Sequence, residues 1–262
     1  MEKMLIFGHK SPDTDTICSA IVMENLQKKL GKEVEAVRLG NLNKETEYVL
    51  NYLGVNAPRM IEKVEDGQEV ILVDHNEFSQ SVDNIENAKI KMVVDHHRIC
   101  DFQTSEPLYY RAEPVGCTCT ILYKLYKENN VEIDKKIASL MMSAIISDTL
   151  LLKSPTKTVE DENAVKELEK ISGLNAQVYG LDMLKAGTDL SGFTADELIS
   201  LDCKVCTLKD KNAKVAQVNT ADINDMMNRK EEIEQAISAD IEKNNLDLFV
   251  FAITDIINSN SQ

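Results

Sequence analysis

The four histidines of this chain all fall within the first 97 residues, and each lies on or near an aspartate. His9 leads the segment Gly8-His9-Lys10-Ser11-Pro12-Asp13-Thr14-Asp15, His75 follows Asp74, and His96 and His97 follow Asp95. Asp13, Asp74 and Asp95 each come just after a short apolar run, at residues 4–7, 70–73 and 92–94. Imidazole and carboxylate gathered at successive strand ends suit a divalent-metal site, because together they supply both affinity and charge balance. A fourth cluster, Ser147-Asp148, ends the apolar run 140–146. An acid at a helix C-terminus opposes the helix dipole, so Asp148 calls for a cation nearby.

Simpler readings compete at each position. Asp13 or Asp15 could cap a helix, but capping explains one aspartate and leaves His9 unexplained. Asp74-His75-Asn76 alone could be a strand-ending turn. In Asp95-His96-His97, neighbouring side chains point in different directions, so two could face a site while the third supports it. Lys204 lies inside an apolar β-like stretch, where most lysines simply extend to water.

The elements that must position these residues alternate. Helical periodicity covers residues 15–30, 45–53, 115–129, 134–147, 159–172 and 176–185, and β-like runs fall at 34–39, 70–73 and 92–94. Near-continuous apolar strands between helices predict an α/β fold, with a parallel sheet covered by helices on both faces. Ligands in such sheets bind beyond the carboxyl ends of the strands, where these aspartates and histidines fall. We expect a first domain over 1–187, a linker over 188–194 and a smaller α/β second domain over 195–262. The second domain would hold a helix near 195–201, strands at 204–208 and 214–219, and a charged helix over 222–243 that includes Arg229 and Lys230. After an apolar strand at 246–253 the chain ends nine residues later in Asn258-Ser259-Asn260-Ser261-Gln262. Those turn residues predict no further strand, so this domain is expected to be incomplete.

Composition narrows the function. The 262 residues are 43% hydrophobic, ordinary for a globular protein, and the net charge of −15 argues against nucleic-acid or anionic-membrane binding. An acidic protein acting on an anion must reverse its field locally, which bound metal ions do. The longest apolar stretch is too short to span a bilayer, and the apolar start is broken by His9, Pro12 and Asp13, unlike a signal peptide. Six cysteines without a secreted-domain framework read as reduced thiols in a cytoplasmic protein. Cys203-Lys204-Val205-Cys206 has the spacing of half a zinc knuckle but no good partner. No Gly-x-Ser-x-Gly elbow, Walker loop or Gly-x-Gly-x-x-Gly is present.

Taken together, Phe7–Asp15, Val73-Asp74-His75-Asn76-Glu77, Asp95-His96-His97-Arg98, Pro114-Val115-Gly116-Cys117-Thr118 and the segment 143–148 resemble the family II inorganic pyrophosphatases of the DHH phosphoesterase superfamily. The resemblance implies a DHH domain in which His9, Asp13 and Asp74 hold one Mn²⁺ while Asp15, Asp74, His96 and Asp148 hold the other. Asp74 would bridge the two ions, with Co²⁺ or Mg²⁺ as possible replacements and Mg²⁺ also accompanying the substrate. A bridging hydroxide would then attack pyrophosphate. The same resemblance makes Asp74 and His97 the catalytic pair, His97 and Lys204 the substrate contacts, His75 a neighbour of Asp74 outside the ligand set, and the protein a homodimer through its first domain. One departure stands out: the family's C-terminal Ser-Arg-Lys-Lys motif is missing, which predicts a C-terminally shortened member that binds metal but hydrolyses pyrophosphate weakly or not at all. The alternatives are a metal-binding but inactive or regulatory homologue, or a polyphosphate or oligonucleotide phosphoesterase. The nucleotide-cleaving branch carries a Gly-Gly-Gly-His signature, whereas this chain has no histidine after His97.

Overall fold

The computed structural model describes residues 3–208, 211–256 and 260–262, with the side chains of 206–208 outside the description. The chain divides into two compact units, Met1–Met183 and Leu184–Gln262. In the first, β1 (Met4–Phe7), α1 (Thr14–Lys29), β2 (Val34–Arg38), α2 (Lys44–Leu53), β3 (Arg59–Met60), β4 (Glu69–Val73), β5 (Lys89–Asp95) and β6 (Tyr109–Ala112) are followed by four helices. These are α3 (Thr118–Glu128), α4 (Lys135–Asp148), α5 (Val159–Ser172) and α6 (Ala176–Gly187), the last continuing into the second unit.

The six strands pair in the order β3-β2-β1-β4-β5-β6, every pair parallel, as the apolar runs predict. The chain moves outward from β1 to β2 and β3, then returns to lay β4, β5 and β6 on the other side. This reversal opens a crevice between β1 and β4 at their carboxyl ends. One face of the sheet departs from the expected helical cover. Its core, built on Phe7, Val70, Leu72, Ile90 and Val93, draws no residue from any α-helix. It is closed instead by connecting segments that carry two single-turn 3-10 helices, Phe78–Gln80 and Ile85–Asn87. A right-handed crossover explains the asymmetry, since connections running in opposite directions from the switch point fall on opposite faces.

The helices interlock around α4, which is buried from Ile137 to Ile146 and packs against α1, α2, α3 and α5. A helix apolar on all sides belongs at the centre of such a layer. The helix expected from residue 115 starts later, at Thr118, because Gly116 makes a tight approach: a Cβ there would come within 2.7 Å of Thr149 and 2.8 Å of Asp161. Asp161 is fully buried and ties this turn to α5. It closes the α5 capping box with Thr158 and accepts the Gly116 N–H at 2.9 Å and the Thr120 hydroxyl at 2.6 Å.

The second unit holds α7 (Ala195–Leu198), β7 (Cys203–Leu208), β8 (Lys211–Thr220), α8 (Ile223–Met227), α9 (Lys230–Asn244), β9 (Leu248–Asp255) and β10 (Asn260–Ser261). Its sheet runs β10-β9-β8-β7, with β8 and β9 parallel and the outer pairs antiparallel. Residues 188–194 form the irregular stretch between α6 and α7. Two expectations are corrected here. The single charged helix over 222–243 is two helices parted at Asn228 and Arg229, because the Arg229 guanidinium turns away to the carbonyls of Leu190 and Phe193. The terminus, expected to lack a strand, carries β10: Ile253 and Gln262 exchange backbone hydrogen bonds and Thr254 meets Ser261 through their hydroxyls at 3.0 Å. Of the turn residues read there, Asn258 and Ser259 lie outside the described residues, as does the Cys206 side chain; Cys18, Cys100, Cys117, Cys119 and Cys203 are free thiols.

The burial of Asp161 yields a stability prediction. Asp161→Ala strands several buried donors at once, and the expected cost is about 3 kcal/mol. Urea denaturation would show a lower midpoint at unchanged slope, and an unaltered midpoint would contradict this account.

Candidate metal centre

β1, β4 and β5 deliver their next residues to one point. Asp74 follows β4 in a left-handed conformation, φ +60°, which a non-glycine residue adopts only where its surroundings fix it. Its carboxylate is buried and faces a histidine on each side. Oδ2 lies 3.5 Å from His9 Nε2, and Oδ1 lies 3.3 Å from His96 Nε2. Asp13 Oδ2 is 3.4 Å from the same His9 nitrogen, while Asp15 Oδ2 and Asp148 Oδ2 lie 4.0 and 3.7 Å from His96 Nε2. The structure therefore brings all six predicted ligands together. Their potential donor atoms form the groups His9, Asp13, Asp74 and Asp15, His96, Asp148, each within 4.8 Å, and Asp74 also groups with His96 and His97.

His9 and His96 are each fixed by a backbone carbonyl. His9 Nδ1 donates to Lys10 O at 2.8 Å and His96 Nδ1 to Val115 O at 3.0 Å, which turns both Nε2 atoms to the carboxylates. The aspartates are held by donors that sequence reasoning did not single out. Thr16 Oγ1 donates to Asp74 Oδ2 at 2.6 Å and Thr118 Oγ1 to Asp74 Oδ1 at 3.1 Å. Asp15 accepts the Ser19 hydroxyl at 2.8 Å and the Thr118 backbone N–H at 2.7 Å, one of the free amides at the start of α3. The capping reading of Asp13 is also correct: its Oδ1 accepts Thr16 N at 2.9 Å, leaving Oδ2 for His9. Gly8 permits this arrangement, because a Cβ there would come within 2.5 Å of the Thr16 methyl.

His75 and His97 behave differently. His75 is buried between Val73 O and Ser81 Oγ, and burial pushes its pKa down to about 4, so it stays neutral. His97 is half exposed, with Nδ1 donating to Asp95 Oδ1 at 3.0 Å and lying 3.7 Å from Asp74 Oδ1. The buried Asp95, held also by Asn76 Nδ2 at 2.6 Å, raises the His97 pKa. Both line one cavity of about 250 Å³, with Asp74, Asn76, Glu77, Gln80 and Arg98. Lys204 stands on β7, exposed, in the second unit.

The electrostatics describe a place short of positive charge. Burial, reinforced by Asp15, pushes Asp74 up to about 7, and burial with Asp15 and Asp74 pushes Asp148 well above the carboxylate range. Burial opposes charging His9 and His96, yet the adjoining carboxylates overcome it and raise both to about 9. Crowded carboxylates that keep protons on neighbouring imidazoles would ionise freely beside a divalent cation. The mixed oxygen and nitrogen donors fit a transition metal such as Mn²⁺.

Known proteins match along the chain. The DHH family N-terminal domain matches residues 3–145 and the DHHA2 domain residues 181–262. The manganese-dependent inorganic pyrophosphatase of Bacillus subtilis is 58% identical over 262 residues, spanning 100% of this chain and 85% of the relative. A relative in Exiguobacterium sp., whose name assigns it the same activity, is 60% identical over 263 residues with the same coverage. A Methanococcus jannaschii structure described as a family II inorganic pyrophosphatase superposes with a TM-score of 0.73 at 38% identity, over 98% of this chain and 86% of that one. An exopolyphosphatase-related protein of Bacteroides fragilis shares the fold, with a TM-score of 0.58 at 15% identity over 90% of this chain and 68% of that one.

The raised imidazole pKa values fix the sign of a pH effect. His9 and His96 are protonated below about pH 9 in the metal-free protein, and a metal needs their neutral form. Mn²⁺ affinity should therefore rise with pH across the neutral range, with protons released on binding at pH 7. Titration calorimetry in two buffers of different ionisation enthalpy measures that release, and heats independent of buffer would contradict it.

Proposed function

The chain belongs to the family II, manganese-dependent inorganic pyrophosphatases, built from a DHH and a DHHA2 domain, and on that premise we propose that it hydrolyses inorganic pyrophosphate to two phosphates. The observation that carries the reading is Asp74, one carboxylate with an oxygen turned to each of two carbonyl-fixed histidines. His9, Asp13 and Asp74 would hold one Mn²⁺, and Asp15, Asp74, His96 and Asp148 a second, Co²⁺ being an alternative and Mg²⁺ accompanying the substrate. When bound, the ions would neutralise the substrate's charge and lower the pKa of a water, so that it loses a proton near neutral pH and a hydroxide is available to attack phosphorus.

The protein's own groups do the rest. Asp74 is the shared donor, and Thr16 and Thr118 keep both of its oxygens in place. His97, its imidazolium favoured by Asp95, hydrogen-bonds to or protonates the leaving phosphate as charge develops there. Lys204 adds a cationic contact from the second domain, whose extent we take as 195–262 after a first domain of 1–187. The hydrolytic reading is favoured over a metal-binding, inactive homologue because the whole chain aligns with relatives named for hydrolysis. No helix of the described residues is long and apolar enough to cross a membrane. A cytoplasmic homodimer through the first domain that binds no nucleic acid completes the proposal; five free cysteines support the compartment, and the net charge of −15 opposes nucleic acid.

Phosphate release from pyrophosphate should be faster with Mn²⁺ than with Mg²⁺, and slow or absent on long-chain polyphosphate and on a dinucleotide. Asp74→Asn should lower kcat by at least about a hundredfold, since the metals supply several kcal/mol and each 1.36 kcal/mol is tenfold. Unchanged turnover in that variant refutes the two-metal assignment. Lys204→Ala should raise KM for pyrophosphate about tenfold, the worth of one charged hydrogen bond; a KM equal to that of the parent removes Lys204 from the substrate site.

A further inference from the structure

Glu45 is in none of the donor groups, yet two of the segments that carry them meet on it. It lies half-buried in the first turn of α2, a helix already capped by Asn43. A single oxygen, Oε1, accepts two hydroxyl hydrogen bonds, from Thr14 Oγ1 at 2.6 Å and from Ser147 Oγ. Thr14 stands between Asp13 and Asp15, and Ser147 immediately precedes Asp148. Thr14 Oγ1 also meets Thr46 Oγ1 at 3.2 Å, so two residues of α2 hold one hydroxyl at the start of α1, with both threonines buried.

The connection matters because α1 and α4 pack side by side with no covalent link near the site. Two helices in contact can slide or rotate by 1–2 Å while keeping their apolar packing. A shift of that size would separate Asp148 from His96 and Asp15, now clustered within 4.8 Å. Two hydroxyls that share one acceptor oxygen leave little slack between the helices that carry them. Burial, and to a lesser extent Asp13, opposes ionisation of Glu45, so a carboxylate placed here for solubility alone would sit badly.

We propose that Glu45 is a positioning residue, holding the start of α1 and the end of α4 at the separation that lets Asp13, Asp15 and Asp148 face one centre. The inference rests on reading the aspartate–histidine cluster as a metal centre. It makes a distinctive demand on chemistry: the Oε1 acceptor is needed and the charge is not. Glutamine keeps an oxygen that can accept both hydroxyls, and alanine does not.

The test measures Mn²⁺ affinity of the full chain without substrate, by electron paramagnetic resonance of free Mn²⁺, with circular dichroism to confirm folding. E45A should lose roughly 10- to 100-fold in affinity, the range seen when groups supporting metal ligands are removed. E45Q should bind as the parent does, and so should E47A, altered at an exposed position of the same helix. Should E45A fail to fold, S147A removes one donor alone and should weaken binding about tenfold. Parent-like affinity in E45A or S147A, or an equal loss in E45Q and E45A, overturns the proposal. A parent chain that binds no Mn²⁺ overturns the metal reading itself, whereas a binding parent with an unaffected E45A overturns only the role of Glu45.

Discussion

Asp13, Asp15, Asp74 and Asp148 converge on a small, largely buried volume, and the mutual repulsion of their carboxylates is the condition the surrounding structure has to meet. Charges brought this close are costly unless something positive or proton-donating stands on every oxygen. The protein answers with the hydroxyls of Thr16, Ser19 and Thr118, the amides at the starts of α1 and α3, and two imidazoles that hold their protons to about pH 9. What those donors leave unsatisfied is net charge, and only cations can supply it. The acidic balance of the whole chain sharpens that demand, because the anionic substrate meets the same field.

The sheet meets this condition by topology. With β1 and β4 as the central pair, the chain reverses direction between them, and the loops after both strands open onto one crevice. Helix starts then point free amides at the carboxylates, which is where a helix dipole favours anions. Asp148 is the exception. It sits at the C-terminal end of the apolar α4, where the dipole is adverse and no basic residue shares the last turn. Its stability there depends on the imidazole of His96 and on whatever cation the cluster binds.

Much of this could be read in the chain itself because the signals were local. An apolar strand followed by Asp or His marks a candidate donor without reference to anything distant, and all six predicted donors converge. The supporting hydroxyls carried no such mark: Thr16 serves an aspartate 58 residues away, and the Thr118 amide one 103 residues away. Short elements were missed for a related reason. β3 has two exposed residues and β6 two exposed and two half-buried ones, so neither shows apolar alternation, and both exist only because a sheet edge was there to pair with. The break between α8 and α9 is likewise set by carbonyls of a separate segment, at Leu190 and Phe193, which periodicity cannot register. The absence of α-helices from one sheet face followed from strand order, which no local pattern contains.

The strand order also bears on how the protein is made. The donors span residues 9 to 148, and those at the two extremes come from the central strand and from the helix packed at the middle of the α layer. During synthesis the His9–Asp13 turn emerges first, but on its own it offers only two donors. On the proposed ligand set, the full chelate would close only after Asp148 has left the ribosome and α4 has packed against α1. Metal ions would then act by mass action chiefly on the finished domain, adding up to RT ln(1 + [M]/Kd) to its stability. Manganese supply would thus govern how long the completed protein lasts as well as whether it turns over.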